Sequence, residues 1–77
     1  MEINPGDRYR HYKGGEYTIV AMAYREEDLE PVVVYRAEYD TADLGSRPVF
    51  TRPLTAWKDV VVYNGKTQPR FEKVIAN

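Results

Sequence analysis

The stretch Tyr9-Arg10-His11-Tyr12-Lys13-Gly14-Gly15-Glu16-Tyr17 decides how the rest of the chain is read. Strand-forming residues stand on both sides of a glycine pair, so the chain reverses direction there. Arg8 to Tyr12 reads as a first short strand, Lys13-Gly14-Gly15 as the turn, and Glu16 to Tyr24 as the second strand. In that second strand Tyr17, Ile19, Ala21 and Ala23 share one face, and Val20 and Met22 share the other with Thr18. Apolar groups on both faces predict a strand that is largely covered, as in a small barrel.

Outward from this hairpin, Pro5-Gly6 is a turn signal that separates a tail, residues 1–6, from a single domain, residues 7–77. Arg25 to Glu30 is a charged connector that stops at Pro31. Val32 to Tyr39 is the clearest strand, with Val33, Tyr35, Ala37 and Tyr39 on one face and Val32, Val34, Arg36 and Glu38 on the other. A polar loop, residues 40–46, leads to a shorter strand over Pro48 to Arg52. Pro53 to Lys58 fits a helical turn, with Pro53 at the first helical position and Thr51 as its cap. Asp59 to Tyr63 resumes a strand, and Asn64-Gly65 signals a type I′ hairpin turn because both residues tolerate positive φ. A last strand covers Arg70 to Ile75. Five or six short strands with one helical turn predict a mostly β domain, a small antiparallel β-barrel or roll of SH3-like type. The long helices that a doubly wound parallel sheet requires are missing.

Composition narrows the possibilities. At 77 residues the chain is one small domain, and such a domain buries only about 60% of its unfolded surface. The hydrophobic fraction of 43% and aromatic fraction of 13% suffice for a core. With no cysteine there is no disulfide framework and no thiolate metal site. Eleven basic and twelve acidic residues give a net charge of −1, without the basic bias of a nonspecific nucleic-acid binder. Seven of the eleven are arginine, which makes planar bidentate contacts to anions that lysine cannot. The polar N-terminus has no secretory apolar region, and no run approaches the ~20 apolar residues of a membrane span. These features predict a soluble, cytoplasmic protein with no membrane partner.

Several pieces then fall into one recognisable order. Tyr9-Arg10-His11-Tyr12-Lys13-Gly14-Gly15 is followed by Tyr17 and Val20, by Val33-Val34-Tyr35-Arg36-Ala37, by Arg52-Pro53-Leu54, and by Gly65 with Pro69-Arg70-Phe71. From about Gly6 to Val74 this series resembles the bacterial domain of unknown function family numbered 1653. The resemblance implies a small intracellular bacterial β domain and brings no activity with it. Two departures stand out. Where the family often has a histidine-serine-glutamate segment after the second strand, this chain reads Tyr24-Arg25-Glu26-Glu27. The pair before Arg52-Pro53 is Phe50-Thr51, where the family often has an aromatic or aliphatic pair.

The residues themselves offer few catalytic arrangements. His11 is the sole histidine and Ser46 the sole serine, and no nucleophile elbow surrounds Ser46. A structural zinc site lacks its ligands. The acidic segment Glu26, Glu27, Asp28 and Glu30 lacks the spacing and turn glycine of a calcium loop. Lys13-Gly14-Gly15 is too short for a phosphate loop. No cofactor or metal is expected. The set that remains is Arg10, His11, Tyr12, Tyr35, Arg36, Arg52, Trp57 and Arg70, together with Phe71.

Arginines on a small barrel can hold anions, and aromatics can serve as stacking platforms. Tyr35, Trp57 and Phe71 equally suit the core that a domain of this size needs. The arginines fit a core poorly and are the stronger functional candidates. Arg36 and Arg70 lie on strands that could be neighbours. The set points to a non-catalytic binding module that meets a protein or nucleic-acid partner through an Arg/Tyr face. Two alternatives compete with it. One is a small-molecule-binding or hydrolytic domain using His11 with a carboxylate such as Glu16. The other is a homo-oligomeric subunit, suggested by tyrosines on both faces of the strands.

Overall fold

The computed structural model describes residues 3–75. Seven strands and one short helix follow in the order β1 (Arg8–His11), β2 (Glu16–Tyr24), β3 (Pro31–Ala37), β4 (Val49–Pro53), α1 (Leu54–Trp57), β5 (Val60–Tyr63), β6 (Lys66–Pro69) and β7 (Phe71–Lys73). The fold is mostly β, with antiparallel pairing throughout. Among the described residues no helix is long and apolar enough to cross a membrane.

Five strands form one sheet in the order β4-β3-β2-β1-β7, and β5 and β6 form a separate two-stranded sheet. The expected barrel is therefore not closed by strand pairing: β4 and β7 are the two edges of the larger sheet. The count of strands exceeds the expected five or six, because Lys66–Pro69 pairs with β5 although it has no apolar alternation. The final strand is correspondingly shorter than expected, Phe71–Lys73.

Side chains bring the two edges of the larger sheet together. Tyr9, Ile19, Val33, Tyr35, Trp57 and Phe71 form the buried cluster, with Ile3, Tyr17, Phe50 and Leu54 against it. Trp57, from the helix that follows β4, stacks face to face on Phe71 of β7, centroids 3.8 Å apart and planes at 4°. Tyr9 and Tyr35 meet the indole edge-on at 5.3 and 4.9 Å. The sheet can curl this far because β2 carries a bulge: Ile19 lies opposite Tyr35 while Ala21 lies opposite Val34, which leaves Val20 as the extra residue. A bulge increases local twist and bends its strand.

The inner face of β3 follows the alternation read from the sequence, with Val33, Tyr35 and Ala37 buried. The expectation that β2 is covered on both faces fails. Val20, Met22 and Tyr24 are exposed, since no second layer lies over that part of the strand. The helix also starts differently from the expected geometry. Pro53 occupies the N-cap with φ −54 and ψ 140, and no side chain caps the helix. Thr51 is instead a residue of β4 opposite Val34. At the β5–β6 turn Asn64 and Gly65 have φ 53 and 75, the backbone that the Asn-Gly pair predicts.

Candidate functional site

Strand alternation divides the arginines between two faces. Tyr9 of β1 points into the core, so its neighbours Arg8 and Arg10 point outward. There both bond to Glu16, at 3.2 and 3.1 Å. These hydrogen bonds, from Arg10 and then Arg8, hold the Glu16 carboxyl below its ordinary range. Arg36, next to buried Tyr35, lies on the same outer face opposite Thr18. It approaches Glu38 at 4.0 Å, while Arg47 bonds the same carboxylate at 2.8 Å. The Thr18 hydroxyl, then Arg47, lowers the pKa of Glu38. This outer face is thus a lattice of compensated charge, and Arg10 and Arg36 belong to it. Arg36 and Arg70 are not on neighbouring strands, because β3 lies between β2 and β4 whereas Arg70 immediately precedes β7.

The inner face is different where β4 and β7 approach. His11 lies opposite Phe71 in the β1–β7 register, and the two rings meet edge-on at 5.1 Å. Arg52, opposite Val33 on β4, places its guanidinium 5.6 Å from the Phe71 centroid, a cation–π contact. Arg70 is anchored through its backbone: its N–H donates to Asp59 O at 2.9 Å, and its carbonyl accepts from Tyr12 N–H at 3.0 Å. Tyr12 stacks obliquely on His11 at 4.5 Å and meets Tyr63 edge-on at 5.2 Å.

Among the described residues, six of the seven arginines have a carboxylate within 4.0 Å and Arg52 has none. The Arg70–Asp59 pair is long at 3.9 Å. The Nε atoms of Arg52 and Arg70 are buried without a hydrogen-bond partner, as is that of Arg36 on the outer face.

His11 completes the group. The Lys13 N–H donates to its Nδ1 at 3.2 Å, which leaves Nε2 to carry the proton of the neutral ring. Burial, then the charges of Arg70, Arg52 and Lys13, push its pKa below the ordinary value. The tight turn that sets this geometry needs its glycines: Gly14 has φ 108, and a Cβ on Gly15 would lie 3.2 Å from the Tyr39 ring. Tyr39 and Tyr17 join hydroxyls beside it, and burial followed by that hydrogen bond raises the pKa of Tyr17.

Of the residues singled out in the sequence, the structure brings together His11, Tyr12, Arg52 and Arg70 around Phe71. Tyr35 and Trp57 are core, 5% and 3% exposed. Arg10 and Arg36 lie on the far face. Glu16 is held by Arg8 and Arg10 there, away from His11, so the His11–Glu16 pairing does not form. Tyr17 and Tyr39 were not among the sequence candidates. Tyr39 follows Tyr35 and Ala37 on one face, which is the signal that could have found it. No three metal-ligating side chains cluster among the described residues. A cleft of about 210 Å³ lies between α1 and the β6–β7 segment, lined by Tyr9, Trp57, Lys58, Pro69 and Phe71.

This architecture can be compared with known proteins. A family model described as "Protein of unknown function (DUF1653)" matches residues 7–73. The chain belongs to that family. A solved relative, the crystal structure of a DUF1653 protein from Bordetella bronchiseptica, is 41% identical with a TM-score of 0.82, over 95% of this chain and 88% of that one. None of the curated proteins matches. The DUF1653 fold is thus shared between the two chains.

Proposed function

We propose that this DUF1653 domain is a non-catalytic binding module that holds a carboxylate of a protein partner at Arg52. Arg70 and the His11 Nε2–H stand beside the anion, and Phe71 and Tyr12 wall the site. In this reading the curled sheet serves as an SH3-like scaffold. The observation that carries it is the state of Arg52, which lies on an aromatic ring and, among the described residues, has no carboxylate of its own while every other arginine has one. A guanidinium so placed keeps its planar fork of donors for an external anion.

A protein carboxylate fits better than a nucleic-acid backbone. Phosphate tracking needs a stripe of free cations. The net charge is −1, and the arginines of the outer face are already matched with glutamates.

Amide NMR titration of the labelled domain tests this, with a short acidic peptide and with mixed-sequence single-stranded RNA and DNA, at low and near-physiological salt. Peptide-induced shifts at His11, Tyr12, Arg52 and Arg70 that persist at the higher salt are expected. Salt-resistant shifts produced there by RNA or DNA alone would reassign the face to nucleic acid. Shifts absent from these four residues with every probe would overturn the site.

A further inference from the structure

Among the described residues the two sheets have four edges, and three carry features that discourage pairing with another chain. β4 has Arg52 and Pro53, β6 has Lys66 and Pro69, and β7 has Glu72 and Lys73. Charges and prolines at an edge are the usual protection against edge-to-edge association. β5, Val60-Val61-Val62-Tyr63, has neither. Val60 and Val62 are 64% and 73% exposed, and among the described residues no backbone or side-chain hydrogen bond beyond those to β6 reaches this strand.

We propose that β5 pairs antiparallel with β5 of a second copy of this chain, about a two-fold axis at Val61, to give a four-stranded sheet β6-β5-β5-β6. The register follows from the hairpin. A two-residue turn makes Tyr63–Lys66 its first hydrogen-bonded pair, and alternation makes Val61–Gln68 the next. The N–H and C=O groups of Val60 and Val62 therefore point away from β6. With the axis at Val61, Val60 of each copy lies opposite Val62 of the other, and all of these outward groups find partners. The pairs formed are valine on valine, β-branched residues that favour one another across strands.

Charge agrees with this register. Asp59 of one copy comes opposite Tyr63 of the other, on the row that ends in that copy's Lys66, so opposite signs share the row and like charges do not meet. An uncharged strand that is its own complement fits an isologous contact. This inference is independent of the Arg52 site.

Sedimentation velocity on the full chain, from low micromolar to near-millimolar concentration, tests it. A dimer that grows with concentration is expected, and Val62→Lys should remain monomeric where the unaltered chain dimerises, with an unchanged circular dichroism spectrum. A second variant reads the register. Val61→Cys supplies the sole thiol of a cysteine-free chain. Residues at a non-hydrogen-bonded antiparallel position have Cα atoms about 4.5 Å apart, within disulfide reach. Mild oxidation should cross-link Val61→Cys and leave Val62→Cys, offset from its own copy, largely uncross-linked. A monomer at every concentration, a dimer indifferent to Val62→Lys, or equal cross-linking of both thiols would overturn the proposal.

Discussion

Arg10, Arg36, Arg52 and Arg70 look alike in the sequence, and what separates them is the phase of the strand each belongs to. Arg10 follows buried Tyr9 and Arg36 follows buried Tyr35, so both face outward by simple alternation. That much was legible. The missing carboxylate at Arg52 was not, because it depends on which strands meet across the curled sheet. Arg52→Ala should leave the fold intact, with a stability loss of about 0.5–2 kcal/mol for the half-buried cation–π contact, checked by urea unfolding. The same variant should weaken peptide binding at least about tenfold, the size of one charge-assisted hydrogen bond. His11 gives a pH test. Its pKa in the folded state lies below the unfolded ~6.5, so the unfolded chain binds the proton more readily. Its contribution to stability is therefore undiminished above ~6.5 and falls as pH drops through the folded value. An anion at Arg52 offsets the neighbouring positive charge, so the ligand should raise the His11 pKa and bind more tightly on acidification. Imidazole-proton NMR with and without peptide measures this, and a downward or absent movement would remove His11 from the site.

At the scale of elements, the strands that sequence locates best are those with alternating or β-branched residues, β2 and β3. β6 was missed because Lys66-Thr67-Gln68-Pro69 has no apolar face. It is a strand only through its partner β5 and the turn between them. The bulge at Val20 was equally hidden, since Thr18-Ile19-Val20-Ala21-Met22 contains no glycine or other local mark of an extra residue. Its loss should be severe: deleting Val20 keeps Ala21 opposite Val34 but makes the ladder regular, which removes the bend that brings Trp57 onto Phe71. The deletion variant is expected to lack the dispersed NMR spectrum of the parent. The Asn64-Gly65 turn, in contrast, was fully legible. Gly65→Ala forces a side chain into φ 75 and should cost about 1 kcal/mol. Hydrogen exchange should show that loss in β5 and β6, with the larger sheet little changed.

For the whole molecule, the fold class was readable but the manner of closure was not. Composition and strand spacing predicted a small antiparallel barrel or roll; the antiparallel sheets are present, and no barrel is closed by strand pairing. Whether its edges join by hydrogen bonds or by side chains is decided between residues far apart in sequence, by Trp57 on Phe71. Trp57→Ala removes the centre of that contact and should cost about 3–5 kcal/mol. A domain of this size has only ~4–12 kcal/mol in total, at ~0.05–0.15 per residue, so thermal unfolding should begin far below that of the parent. Trp57→Phe should recover most of the loss. The neighbour relation of β1 and β7 has a further consequence, in time. Tyr9 pairs with Lys73, almost a full chain length away, and Phe71 is a wall of the core that Tyr9 helps to build. A nascent chain has β1 to β4 early but cannot complete its core until the last strand has left the ribosome. Folding thus waits for β7, and the Tyr9–Lys73 pairing closes a long loop, which favours slow collapse to the native state.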